Sequence, residues 1–561
     1  MEDIKNQIYQ KFLNQAKKPY ENLQEMSKNP MKYNEELLMK IIHDNEDTSI
    51  GIKYNFKNIH SIKEYQENVP ISNYDDYIDF LLPMVYKGID DLITVYPVKH
   101  YNKSSGTLGN PKKIPISEVA QKSNFIYSLP FCFYLFDREL GDSWRKGKIF
   151  LIAQFSVDTL PSGASYGALT AKIAGNMKDY FNSLSTSPTE ILFPKEDLDS
   201  RYLHSLYALM DKDITVVICA YFSYFLEILR FIEGNWKMLV NDIRLGKINE
   251  GINISENLRN VLESQLEPMP ERADELEHIF TTGIGPDFIH KVWPNMQVFE
   301  GIGTSTFSNY VDKIREKYSG DSIPFLFLGL QASEGMISTP LKLNSPDSAF
   351  LPDAMFFEFR PVEQEGYDNL LTLKDLELGH DYEIVLTNLS GFYRYTIKDV
   401  IRVTGFYNKL PLMTFMYRVN QMVNLTGEKT TEIALRDSII KTESDLGLDC
   451  VDFSVYADTD AVPMNYDFLI EASNLDPNLS LDKIRERIEY HLSKSNPSYG
   501  AKVVDGTFGP TGLKILQSET FMLYRDLMAM KCVSVVQLKP PRVIVNEVQR
   551  RFFYTLIDPR F

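Results

Sequence analysis

The sequence predicts an α/β protein in two parts: a large N-terminal domain, residues 1–418, and a smaller C-terminal α+β domain, residues 419–561. Three observations predict it. The 561 residues exceed what a single hydrophobic core usually organises. In the middle of the chain, short β-branched and aromatic runs at 148–153, 214–220, 297–299 and 325–328 alternate with amphipathic stretches, the pattern of a sheet flanked by helices. After Arg418 to Asn420 the order changes. Helical periodicity at 431–446, 480–493 and 519–530 alternates with strand patterns at 450–456 and 466–472, enough for a separate lobe of about 140 residues.

Taken in order, residues 4–15 and 30–43 have helical spacing, and 94–98 reads as an extended run. Residues 214–232, ITVVICAYFSYFLEILRFI, are the most apolar stretch of the chain. Glu227 and Arg230 interrupt it, and its uninterrupted part is too short to span a bilayer. It reads as a buried strand, 214–220, followed by a helix capped by Ser223. Residues 391–425 form a region of strands and turns.

Composition excludes several classes. A hydrophobic share of 44% with 24% charged residues is that of an ordered globular protein. With 59 basic against 76 acidic residues the net charge is −17, which repels nucleic acid and anionic lipid, so neither is expected as a partner. The N-terminus, MEDIKNQIYQKF, lacks the basic-then-apolar layout of a secretory signal, and a cytoplasmic location is expected. Cys132, Cys219, Cys450 and Cys532 are scattered and read as reduced buried thiols, and the eight histidines show no metal-binding spacing. The quaternary expectation is a monomer, with a homodimer as the alternative.

Four segments carry chemistry. Lys103-Ser104-Ser105-Gly106-Thr107-Leu108-Gly109-Asn110-Pro111-Lys112-Lys113 gathers hydroxyls, glycines and lysines in one loop, the parts that phosphate binding requires, although the spacing is not that of a Walker loop. At Ala332-Ser333-Glu334 a strand delivers a hydroxyl and a carboxylate side by side at its C-terminal end, where open α/β sheets bind ligands. The third is GFYRYTIKDVIRVTGFYN, Gly391 to Asn408, with Asp399 at its centre; a carboxylate can accept two hydrogen bonds at once. The fourth runs from Arg418 through Gly427-Glu428-Lys429, which taken alone is a good hairpin or helix-start turn. Gly283-Ile284-Gly285 and Gly301-Ile302-Gly303-Thr304 do not complete a dinucleotide loop and read as turns.

Together these segments resemble the acyl-CoA synthetase, luciferase and nonribosomal adenylation superfamily, and within it the plant auxin-inducible (Gretchen Hagen) acyl-acid amido synthetases. Further matches at 235–246, at Tyr456 to Thr459 and at Gln537 to Arg542 extend the likeness over nearly the whole chain. The resemblance implies a luciferase-like large domain and a mobile small domain with a hinge near Asn420. It implies that ATP and Mg²⁺ are cofactors and that a small carboxylic acid is adenylated and passed to an amine, an amino acid above all. ATP would meet Ser104, Ser105, Gly106, Thr107, Ala332, Ser333, Glu334, Asp399, Arg418, Lys429 and Lys539. Glu334 would hold Mg²⁺, and Glu334, Lys429 and Lys539 would be the catalytic groups. Asp399 would accept the ribose hydroxyls, and Lys539 would be swung in by the mobile domain. A loop like Ser162-Gly163-Ala164-Ser165-Tyr166 forms part of the family's amine pocket, and Gly303 to Ser305 would line the adenine or acyl pocket. One departure stands out: the family usually has glycine before the aspartate, where this chain has Lys398. A thiol acceptor, as in acyl-CoA or carrier-protein ligases, and a non-catalytic binding protein on the same fold are the alternatives.

Overall fold

The computed structural model describes residues 2–103, 111–419, 422–423, 425–473, 475, 479–529 and 539–561. By contacts the chain forms two units. Residues through 103 with 111–397 and 401–415 make the first, and 398–400 with 416–561 the second.

The strands of the first unit are β1 (Val98–Lys103), β2 (Lys113–Ser117), β3 (Lys148–Ile152), β4 (Val157–Thr159), β5 (Ser165–Gly167), β6 (Ile214–Tyr221), β7 (Val298–Ile302), β8 (Phe325–Phe327), β9 (Gln331–Ala332), β10 (Gly335–Met336), β11 (Ser338–Pro340), β12 (Ser348–Phe350), β13 (Met355–Pro361), β14 (Asp381–Asn388), β15 (Tyr395–Tyr407) and β16 (Leu410–Arg418). Three sheets position the site. β3, β6, β7 and β8 make a parallel sheet in that order, the arrangement expected from apolar runs separated by helices. A small mixed sheet runs β2-β1-β5-β4. A six-stranded sheet runs β11-β12-β16-β15-β14-β13.

The apolar stretch at 214–232 is β6 followed directly by the helix Phe222–Leu245. That helix begins one residue before the expected cap. Tyr221 takes the extended N-cap position and Ser223 lies inside the first turn, because the strand runs one residue further than its apolar pattern. The helix closes on Gly246 at φ 63, a left-handed C-cap. Among the described residues no helix is long and apolar enough to cross a membrane. The extended run at 94–98 enters a strand only at Val98. The N-terminal helices Glu2–Met26 and Pro30–Asp44 are longer than their patterns. The first packs on Leu129–Leu140, where Trp144 is enclosed by the rings of Tyr9, Phe133 and Phe136 at 4.9, 5.0 and 5.4 Å.

In the second unit β17 (Asp449–Asp458), β18 (Asn465–Ser473), β19 (Gly512–Leu516) and β20 (Val543–Ile544) form a sheet in the order β19-β18-β17-β20. The helices Glu432–Leu446 and Leu481–Ser495 pack on each other, and Leu435, Ile439, Val455, Phe468, Ile470, Ile484 and Ile488 form a core of this unit's own. Cys132, Cys219 and Cys450 are free and buried.

Candidate active site

In the first unit the candidate site is built around a two-residue turn. β9 and β10 pair antiparallel with Ala332 opposite Gly335, and Ser333-Glu334 joins them. Gly335 is at φ 138, backbone that favours glycine, and a Cβ there would also have to displace Met355 Cε, 2.5 Å away. Asn102 Nδ2 donates to the Ser333 carbonyl at 2.7 Å, and Asn388 Nδ2 donates to the Glu334 carbonyl at 3.0 Å. Met336 N–H donates to Asn124 Oδ1 at 2.7 Å. Three buried amide side chains thus fix the backbone of a turn too short to fix itself.

The Glu334 side chain is buried and accepts a hydrogen bond from the Tyr395 hydroxyl. Burial, the Glu334 charge and this bond all hold the Tyr395 phenol well above its ordinary range. The Tyr395 ring stacks on Phe392, centroids 4.4 Å apart and planes 6° from parallel. The start of the same strand is pinned by Arg394, whose Nε lies 3.2 and 3.1 Å from the two Glu358 oxygens and whose Nη1 reaches the carbonyls of Gln66 and Val69.

The hairpin of β4 and β5 carries Ser162, Gly163, Ala164, Ser165 and Tyr166. Gly163 turns it at φ 85. Ser165 Oγ lies 3.0 Å from His100 Nδ1, and His100 Nε2 lies 3.0 Å from Asn102 Oδ1. Burial pushes the His100 ring down to about 4, with the Lys172 charge acting the same way, so it is neutral at physiological pH. Tyr166 lies under the ammonium groups of Lys103 and Lys113, at 5.7 and 5.6 Å from the ring centre.

The other anticipated groups belong to the second unit. Asp399 is buried and takes a fork from Arg418, Nε to Oδ1 at 2.6 Å and Nη2 to Oδ2 at 3.1 Å. Lys398, where the family usually has glycine, is at φ 65. The backbone there is left-handed, and a lysine adopts it. Lys429, at φ 49, follows Gly427 in a turn closed by Glu428, whose carboxylate accepts from the N–H groups of Leu425 and Thr426 at 2.7 and 2.8 Å. Lys539 is exposed, directly before an anchored segment: the Ser454 hydroxyl bonds the Pro541 carbonyl, Arg542 pairs with Asp452, and β20 joins β17. Desolvation pushes the Glu432 carboxyl above its ordinary range, opposed by the charges of Arg542, Lys539 and Arg418. Glu432 therefore shares its surroundings with two of the anticipated cations. Ser104, Ser105, Gly106, Thr107 and Asn420 lie outside the described residues.

Sequence reasoning assigned no role to His100, Asn102, Asn388, Asn124 or Tyr395. Tyr395 stood inside a motif already singled out. The amides carry no local signal, since Asn102 is 231 residues from its partner Ser333.

Family models match along the chain in order: the GH3 family N-terminal domain at residues 19–325, the central domain at 348–418 and the C-terminal domain at 434–548. The chain belongs to the GH3 family. Similar curated proteins include a probable indole-3-acetic acid-amido synthetase of Oryza sativa subsp. japonica, 27% identical over 94% of each chain. A 4-substituted benzoates-glutamate ligase of Arabidopsis thaliana is 26% identical over 96% of this chain and 97% of that one. A jasmonoyl-L-amino acid synthetase of Nicotiana attenuata is 28% identical over 93% of each. Among solved structures, the GH3.15 acyl acid amido synthetase superposes with a TM-score of 0.84 at 24% identity, covering 97% of this chain and 96% of that one. A 2-hydroxyisobutyryl-CoA ligase in its postadenylation state shares the fold at a TM-score of 0.51 and 10% identity, covering 97% and 91%. The chain thus shares its fold with a GH3 protein and, more distantly, with a CoA ligase.

Proposed function

We propose that this protein is an ATP-dependent acyl-acid amido synthetase, a ligase that forms carbon–nitrogen bonds, acting in the cytoplasm on a small carboxylic acid and an amino acid. The observation that carries the reading is the Ser333-Glu334 turn, a hydroxyl and a carboxylate held on three buried amides in a chain whose GH3 relatives bear amido synthetase names.

A carboxylate is a poor acyl donor because its leaving group would be oxide. Its attack on the α-phosphate of ATP forms the acyl-adenylate and breaks the bond to pyrophosphate. The amine lone pair then attacks the acyl carbon, the bond to AMP breaks, and the amine proton goes to solvent or product. Ser333 meets the α-phosphate, together with Ser104, Ser105, Gly106 and Thr107. Asp399 accepts the ribose hydroxyls, for which a carboxylate with two oxygens is suited, and Arg418 orients it. Lys429 and Lys539 offset charge as pyrophosphate forms. The β4–β5 hairpin, Ser162 to Tyr166, receives the amine. The small domain, residues 419–561, alternates between adenylating and transfer poses.

Glu334 fits a hard divalent cation in chemistry: it is a buried carboxylate, and the remaining ligands of Mg²⁺ would be phosphate oxygens and water. Mg²⁺ there would neutralise the phosphates as pyrophosphate departs.

The test is acid-dependent exchange of labelled pyrophosphate into ATP with Mg²⁺, over a panel of auxin-like, jasmonate-like and benzoate-like acids, followed by product analysis with amino acids and with CoA. Exchange with an acid and amide formation support the reading. Exchange followed by thioester formation alone would replace the amine by a thiol, and absence of exchange with every acid would overturn the enzyme assignment.

A further inference from the structure

His100 and Asn102 stand two residues apart on β1 and therefore share one face of that strand. Both are almost wholly enclosed, at 0% and 5% exposure. From His100 the contacts run in two directions, to Ser165 on β5, its register partner, and through Asn102 to the carbonyl of Ser333.

At the Asn102 end the hydrogens of this chain are fixed by valence. Asn102 donates Nδ2–H to the Ser333 carbonyl, so its Oδ1 is the atom facing His100, and that oxygen can only accept. His100 Nε2 must carry the ring proton. Nδ1 of the neutral ring is then bare, and the Ser165 hydroxyl can donate to it across 3.0 Å. That hydroxyl has one hydrogen for two acceptors, since the Lys99 carbonyl lies 3.1 Å away. Burying the polar groups of His100 and Asn102 is an expensive way to fill space, because each needs its partner and an apolar side chain needs none. What it supplies is direction: one chain of donors and acceptors links two loops far apart in sequence.

We propose that His100 and Asn102 are positioning residues that tie the β4–β5 hairpin to the Ser333-Glu334 turn, setting the acceptor amine and the activated acyl group in one register. The inference rests on the reading of the hairpin as the amine site and of the turn as the phosphate site. His100 and Asn102 do not touch the reactants. They act through Ser165 and Ser333, and neutrality of the ring is needed, because an imidazolium would present a second N–H to the hydroxyl and reverse its bond.

The distinguishing consequence is cross-talk. Pyrophosphate exchange involves no amine, so a change confined to an amine pocket should leave it untouched. Here Ser165→Ala should slow exchange by about 3-fold or more, and Asn102→Leu, at the other end, should raise the KM for the amine by about 5-fold, the scale of one buried neutral hydrogen bond passed on through a neighbour. In a His100→Phe background, which keeps a ring but no polar atom, Ser165→Ala should no longer affect exchange. Should His100→Phe fail to fold, His100→Gln, which keeps an N–H for Asn102, serves in its place, and nitrogen NMR of the wild-type ring reads the same point: Nε2–H with a bare Nδ1 is expected at neutral pH.

Exchange at the wild-type rate in Ser165→Ala, an unchanged Ser165→Ala effect without the His100 imidazole, or a ring protonated on Nδ1 would each overturn the proposal. Failure of the parent reading looks different: wild-type protein would show no exchange with any acid.

Discussion

Arg418 holds both carboxylate oxygens of Asp399, at 2.6 and 3.1 Å, from a side chain that is itself 37% exposed. On the proposed reading Asp399 is the acid for the ribose; the fork orients it, and a nucleotide would share it with the guanidinium. Asp399→Ala should raise the KM for ATP by an amount corresponding to about 2–4 kcal/mol, the loss of a charge-assisted pair of bonds. Exchange kinetics at varied ATP measure it, with circular dichroism as the control for folding. A folded variant with the wild-type KM would remove Asp399 from the site.

On the proposed reading Glu334 sets the metal requirement. Activity should need Mg²⁺ or Mn²⁺, and Glu334→Gln, which keeps the shape, should need about 10-fold more Mg²⁺ for half-maximal exchange, the scale of a weakened ligand. Tyr395→Phe removes the hydroxyl that bonds the carboxylate and should shift the same curve in smaller measure. Full activity of the wild type in excess EDTA would contradict both.

On the same reading Lys539 separates the half-reactions. It is exposed, one residue ahead of an anchored segment. Removing it should reduce acyl-adenylate formation by ~10²-fold, the usual cost of one preorganised charge stabiliser. Transfer from synthetic acyl-adenylate to the amine should be far less affected. Equal losses in both steps, or none in either, would defeat the two-pose reading.

Glu300 makes stability fall with rising pH. It lies on β7, 3% exposed, its Oε2 without a hydrogen-bond partner, and burial pushes its carboxyl from 4.5 up to about 8. Below pH 4.5 the group is protonated in the folded and unfolded chain alike. Between there and about 8 the unfolded chain has lost the proton that the folded one keeps, so stability falls by roughly 1.4 kcal/mol per pH unit. Thermal unfolding from pH 5 to 9 should show this slope in the wild type and lack it in Glu300→Gln, whose Tm should be the higher at alkaline pH. Parallel curves for the two proteins would show that Glu300 carries no such penalty.

Much of this architecture was legible in the sequence. Apolar runs gave β3, β6 and β8 within a residue or two, because a strand buried on both faces must be apolar throughout. The helix after β6 was legible but its cap was not, since Ser223 is a good capping residue that tertiary packing overrode. Of the site, the groups that would touch ATP stood out as motifs. The groups that aim them did not. Asn102, Asn388 and His100 work by reaching partners 231, 54 and 65 residues away, and nothing in a linear pattern marks a side chain that will find such a partner.

Lys398 has a consequence for how the neighbouring acid is held. At φ 65 it occupies backbone space that glycine visits freely and lysine reaches only when the surroundings insist. Its own preference lies elsewhere by about 1–2 kcal/mol, so the fold around it, and not the residue, keeps this corner of the chain bent.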